Sequence, residues 1–182
     1  FVAADLISQA EHGNDSQVVL VTKSRSVADA VVLDIKEQLI QLPRKELAEE
    51  SLKNSVVMIV NSKKEVIKTI NYYGPEHLIL NISNPEKYID KIYNAGSVFI
   101  GPYTPESAGD YASGTNHALP TNGWAKSYSG VSLDSFVKKI TFQEITKKGL
   151  KILGPTLEVM AAAEQLEGHK RAVTVRLESF EK

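Results

Sequence analysis

The sequence of 182 residues contains no cysteine, which removes disulfides, thiolate–zinc centres and cysteine nucleophiles together. It has no basic excess either. Twenty-one basic and 22 acidic side chains leave a net charge of −1, so there is no electrostatic case for nucleic acid or an anionic membrane. Long apolar runs are missing too. The longest are five residues, at 56–60 and 159–163, far short of a bilayer span. No G-x-G-x-x-G occurs, so the dinucleotide fingerprint is absent, and the Gly109 to Gly114 spacing lacks the lysine of a P-loop. The opening Phe1-Val2-Ala3-Ala4-Asp5-Leu6 has no basic n-region and is not a signal peptide. It reads as the inside of a helix, as in a portion of a longer chain. The missing export signal and missing cysteine point to the cytoplasm, with a removed organelle transit peptide left open.

What is present is enough apolar residue, 42% of the chain, for one sizeable core. Val2, Ala3, Leu6, Ile7 and Ala10 recur at helical spacing, with an end near Gly13. Residues 17–21 are β-branched and strand-like; Ser24 or Ser26 caps a helix through Leu39 and Ile40, and a second helix follows Pro43 over 45–52. The pattern repeats with a buried strand at 56–60, a helix at 62–71, a strand at 78–80, a helix from Pro85 to Asn94 and a strand at 98–100. Alternation of this kind implies βαβ units and a parallel sheet with right-handed crossovers. The expected fold is α/β, a partial Rossmann-like domain over 1–130, with a mainly helical tail over 131–182. Residues 101–130 are rich in glycine and proline without periodicity, a loop long enough to be functional. The tail is expected to hold a short helix at 133–138, a strand at 139–142, and helices over 146–164 and 168–178.

The four histidines each have carboxylate or amide neighbours: Gln9 with His12, Glu76 with His77, Asp110 with His117, and Glu164 with His169. Taken singly, each reads as an ordinary surface or core residue. Gln9 and His12, three apart on a helix, project from one face. Two more ligands, such as Asp110 and His169, would complete an N/O site suited to zinc or another first-row divalent ion. Glu76-His77 stands at a strand-entry turn, where neighbouring side chains could work as acid and base.

Four blocks together resemble the histidinol dehydrogenase family. They are Ala3-Ala4-Asp5-Leu6-Ile7-Ser8-Gln9-Ala10-Glu11-His12, then Gly74-Pro75-Glu76-His77-Leu78, then Thr104-Pro105-Glu106-Ser107-Ala108-Gly109-Asp110-Tyr111-Ala112-Ser113-Gly114-Thr115-Asn116-His117-Ala118-Leu119-Pro120, and Ala163-Glu164-Gln165-Leu166-Glu167-Gly168-His169. The resemblance implies zinc- and NAD-dependent oxidation of L-histidinol to L-histidine through L-histidinal, the last steps of histidine biosynthesis. By position it makes Gln9, His12, Asp110 and His169 the zinc ligands and Glu76 and His77 the acid–base pair. It places His117, Glu164, Glu76, His77, Asp110 and His169 around the substrate. It further implies an intertwined homodimer in which Glu164 and His169 serve the partner's site. Family members are longer, so the chain is expected to be their C-terminal portion, with NAD held in the missing N-terminal portion and the fragment inactive alone. The alternatives are a paralogous dehydrogenase of another small amino alcohol or polyol, and a non-catalytic metal-binding or dimerisation module.

Overall fold

The computed structural model describes residues 1–180. It divides into two compact units, Phe1–Val137 and a second beginning at Lys138.

In the first unit, helix α1 (Val2–Ala10) buries Ala3, Ile7 and Ala10, the i, i+4, i+7 stripe expected of an amphipathic helix. Strand β1 (Val19–Thr22) leads to α2 (Arg25–Leu39), where the Ser24 hydroxyl accepts a hydrogen bond from the Val27 amide at 3.3 Å. Such an N-cap is worth about 1 kcal/mol. Helix α3 (Lys45–Leu52) follows, then β2 (Val56–Ile59). Ile7, Ala10, Val18, Leu39 and Ala48 pack together as the core, ringed by Leu6, Ile35, Leu42 and Leu52. Each large side chain so buried contributes roughly 1.5–3 kcal/mol.

Helix α4 (Lys63–Tyr73) begins at the Ser62 cap and stops at Gly74, whose φ of 66° lies in the left-handed region that glycine enters without strain. That stop turns the chain through Pro75 and Glu76 into β3 (His77–Leu80). The short helix α5 (Glu86–Ile89), strand β4 (Ser97–Ile100) and helix α6 (Glu106–Tyr111) complete the ordered frame. Two 3₁₀ turns, Trp124–Lys126 and Leu133–Phe136, lie beyond it.

The α/β class with parallel strands is as expected, yet the strands form two pairs rather than one sheet. β1 runs parallel to β2, with Val19 opposite Val56, and β3 runs parallel to β4, with His77 opposite Ser97. The strand expected to be buried at 56–60 is half open, Val56 being 46% exposed and Val57 44%. Other departures are local. The helix expected from Pro85 to Asn94 is a single turn, residues 101–130 contain α6, and 139–142 form no strand among the described residues. An apolar alternation without a neighbouring strand to receive its hydrogen bonds is not a strand.

Asn71, buried on α4, sets the entry to β4. Its Oδ1 accepts from the Tyr93 and Asn94 amides at 3.0 and 3.2 Å, and its Nδ2 donates to the Lys91 carbonyl at 2.8 Å. The Asn94 side chain donates back to the Asn71 carbonyl at 2.8 Å. One amide thus ties the end of α4 to the turn before β4.

In the second unit, α7 (Lys147–Ala163) and α8 (Glu167–Glu178) form a helical hairpin. α7 ends in a Schellman turn. Gln165 takes a φ of 60°, its amide donates to the Ala162 carbonyl at 3.0 Å, and the Leu166 amide donates to Ala161 at 2.9 Å. Gly154 is buried where a Cβ would come within 2.8 Å of Leu177, so the absent side chain sets how closely the two helices meet.

Replacing Asn71 with Ala leaves the Tyr93 and Asn94 amides and the Lys91 carbonyl without their side-chain partner. It is expected to cost about 1–2 kcal/mol of stability in the full-length polypeptide, read as a lowered denaturant midpoint. An unchanged midpoint would show that the turn before β4 holds without this side chain.

Candidate functional site: a buried histidine–carboxylate cluster

Three segments of the first unit meet at one place. The C-terminal end of α1 brings Gln9 and His12. The Gly74-Pro75 turn delivers Glu76 and, as the first residue of β3, His77. Helix α6 starts at Glu106, just after the Pro105 N-cap, so Glu106 and Asp110 fall one turn apart on one face.

Close backbone approaches fix these segments. Gly96 lies where a Cβ would stand 2.6 Å from the Glu76 carbonyl oxygen, and that carbonyl accepts from the Ser97 amide at 2.9 Å. Gly109 rests on Phe99, where a Cβ would come within 2.7 Å of the ring. Phe99 is buried and its ring centre lies 6.0 Å from that of His77, so the histidine has an aromatic wall on one side.

His77 Nδ1 stands 3.1 Å from Gln9 Oε1, a hydrogen bond in which the ring nitrogen donates to the amide oxygen. Its Nε2 is buried without a hydrogen-bond partner. The Glu106 side chain is 3% exposed, and its Oε1 lies 3.5 Å from His12 Nε2 and 3.6 Å from His77 Nδ1, again without a hydrogen bond. Ligand-type atoms of His77, Glu106 and Asp110 all fall within 4.8 Å of one another. The His12 side chain remains half exposed.

Burial shifts the acids and bases here. Glu106 is pushed up to about 7, first by desolvation and then by the negative charges of Asp110, Glu76 and Asp5. Glu76 is raised by burial, with His12 opposing and Asp110 adding to the shift. His77 is lowered by burial, against the pull of Asp110.

A divalent cation fits this donor set. It combines imidazole, amide and carboxylate atoms, two of them buried and unpartnered, with a surplus of negative charge. The structure brings together Gln9, His12, Glu76, His77 and Asp110 of the residues singled out in the sequence. His117 lies past α6, exposed and outside the hydrogen bonds of the cluster; its neighbour Asn116 holds the segment by accepting from the Ala118 amide at 2.7 Å and donating to the Val131 carbonyl. Glu164 and His169 belong to the second unit. Glu164 is the C-cap of α7, His169 stands in the first turn of α8, and both are exposed. Glu106 was not singled out by sequence reasoning. The signal available was its i, i+4 relation to Asp110 behind a helix-starting proline.

The histidinol dehydrogenase family model matches residues 1–177. The chain belongs to the histidinol dehydrogenase family. It is 57% identical over 180 residues to the histidinol dehydrogenase of Bacteroides thetaiotaomicron, covering 99% of this chain and 42% of that protein. The Vibrio vulnificus enzyme is 53% identical over 180 residues, with the same coverage of each chain. The crystal structure of histidinol dehydrogenase from Elizabethkingia anophelis matches with a TM-score of 0.94 at 57% identity, over 100% of this chain and 42% of that one. The chain therefore spans 42% of the length of these histidinol dehydrogenases. No helix among its described residues is long and apolar enough to cross a membrane.

The raised Glu106 carboxyl gives a signed pH dependence. Its folded-state value near 7 lies above the ordinary 4.5, so the folded state holds the proton more tightly and metal-free stability falls as pH rises between the two. In the chelator-treated full-length protein, Glu106→Gln is therefore expected to be neutral near pH 4.5 and to stabilise progressively towards pH 7. The gain should level off at no more than about 3 kcal/mol. Denaturant midpoints of both proteins across this range measure it; a gain independent of pH would show that Glu106 is not charged at a cost.

Proposed function

We propose that this chain supplies the acid–base and cation-binding part of a histidinol dehydrogenase that oxidises L-histidinol to L-histidine through L-histidinal, closing histidine biosynthesis. The observation that carries the reading is the meeting of Gln9, His12, His77 and Asp110, from three separate sequence blocks, at one buried place in a chain of this family. Zinc would be held by Gln9, His12 and Asp110 together with the His169 of a second copy in the dimer, and when bound it supplies Lewis-acid binding of the substrate's imidazole and amine. The hydride acceptor in this reading is NAD. The chain offers it no glycine fingerprint and none of the residues assigned above, so its site is assigned to the remainder of the polypeptide.

The chain's own residues divide the proton work. The Gln9 amide oxygen keeps the His77 proton on Nδ1, which leaves the lone pair on Nε2. Burial favours the neutral ring, so Nε2 is available to take the proton of the substrate hydroxyl as the carbinol carbon is oxidised. The aldehyde then needs water as nucleophile. Glu76, one residue away, accepts a proton from that water, and its upward shift strengthens it as a base. His117 and Glu164 are assigned to hold the substrate, with Glu164 and His169 reaching the partner's site in a homodimer. The setting of the reaction is the cytoplasm.

The full-length polypeptide is expected to reduce NAD in a histidinol-dependent manner and to lose turnover on chelation, with recovery on adding zinc. His77→Ala is expected to lower turnover about 10²–10⁴-fold while zinc content is retained. Glu76→Gln should slow the aldehyde step more than the alcohol step, so that supplied histidinal is consumed more slowly than by the parent. Undiminished turnover in His77→Ala would remove the assignment of the base. Faster oxidation of another amino alcohol than of histidinol would transfer the activity to a related substrate.

A further inference from the structure

The residue least accounted for is Glu106. Its side chain is 3% exposed, and its only ion-pair contacts among the described residues are with two histidines. A carboxylate is seldom buried without a cationic partner, because leaving water costs several kcal/mol that something nearby must offset.

The distances say what kind of partner is missing. Glu106 Oε1 stands 3.5 Å from His12 Nε2 and 3.6 Å from His77 Nδ1. Both exceed the roughly 2.7–3.2 Å of an N–H···O hydrogen bond, and Oε1 has no such bond. The distance to His12 is close to the spacing of neighbouring ligands around one ion. Atoms about 2.0–2.2 Å from zinc stand roughly 3–3.5 Å apart when they share it. A ring nitrogen of His77 and carboxylate oxygens of Glu106 and Asp110 also lie within 4.8 Å of one another, which puts the Glu106 carboxylate beside the assigned ligand Asp110.

Charge points the same way. The proposed set of Gln9, His12, Asp110 and His169 brings a single negative charge to a doubly charged ion, leaving a net positive site. A second carboxylate at the same place makes the site neutral.

We propose that Glu106 belongs to the cation site, its carboxylate facing the same ion as His12 and Asp110 and providing the second negative charge. The inference rests on the zinc reading above. Zinc affinity of the full-length protein, by competition with a chromophoric chelator, tests it together with the absorption spectrum of the Co²⁺-substituted protein.

Glu106→Gln is expected to bind zinc at least 10-fold more weakly than the parent and to shift the cobalt bands. Glu106→Asp keeps the charge but withdraws it by one methylene, and should fall between the two. It also serves if the Gln variant does not fold. Parent-like affinity and spectrum in either folded variant would overturn the inference while leaving the zinc reading in place. A parent protein that binds neither zinc nor cobalt would overturn both. Normal metal binding without histidinol turnover would instead remove the substrate reading alone.

Discussion

The site depends on one unfavourable arrangement, the crowding of Glu76, Glu106 and Asp110 beside two histidines, with Glu106 buried and the others half-buried or half exposed. Like charges placed so would separate if the backbone let them. It does not, because each segment is fixed by contacts that have nothing to do with charge. Gly109 seats α6 on Phe99, Gly96 seats the turn before β4 on the Glu76 carbonyl, and Asn71 ties that turn to α4. The frame supplies the rigidity, and the electrostatic strain is concentrated where chemistry is expected.

Much of this frame was legible in the sequence. The capping serine before α2 and the α1 stripe are local signals, and both are found where the residues announce them. The pairing of strands was not legible. Four-residue strands carry no mark of their neighbours, and two parallel pairs have the same apolar pattern as one four-stranded sheet. Helix α6 escaped because six residues make under two turns, too few for a period to show among glycines and prolines. With α6 hidden, Glu106 was hidden too. Asn71 gave no warning, since a polar residue on an amphipathic helix is ordinarily on the wet side.

The second unit poses a different physical question. Its two helices pack on each other through Gly154 and Leu177, yet α7 still presents Ile152 at 68% exposure and Val159 at 70%. So much apolar surface on one helix suits a face that another chain covers, as the proposed dimer would. The Schellman turn at 164–166 gives Glu164 a rigid foothold at the head of that hairpin, with His169 a turn into the next helix.

The contact between Gln9 and His77 joins residues 68 positions apart, and the contacts of His12 with Glu106 reach further along the chain. Closing such loops costs entropy that is recovered only when the intervening strands and helices have docked. α1, the head of β3 and α6 each carry only part of the site. The core of α1, α2 and α3 is built from near neighbours, whereas the cluster needs all three of its segments docked. With α6 undocked, the first-unit core would keep its near-neighbour contacts while Glu106 and Asp110 would be missing from the site.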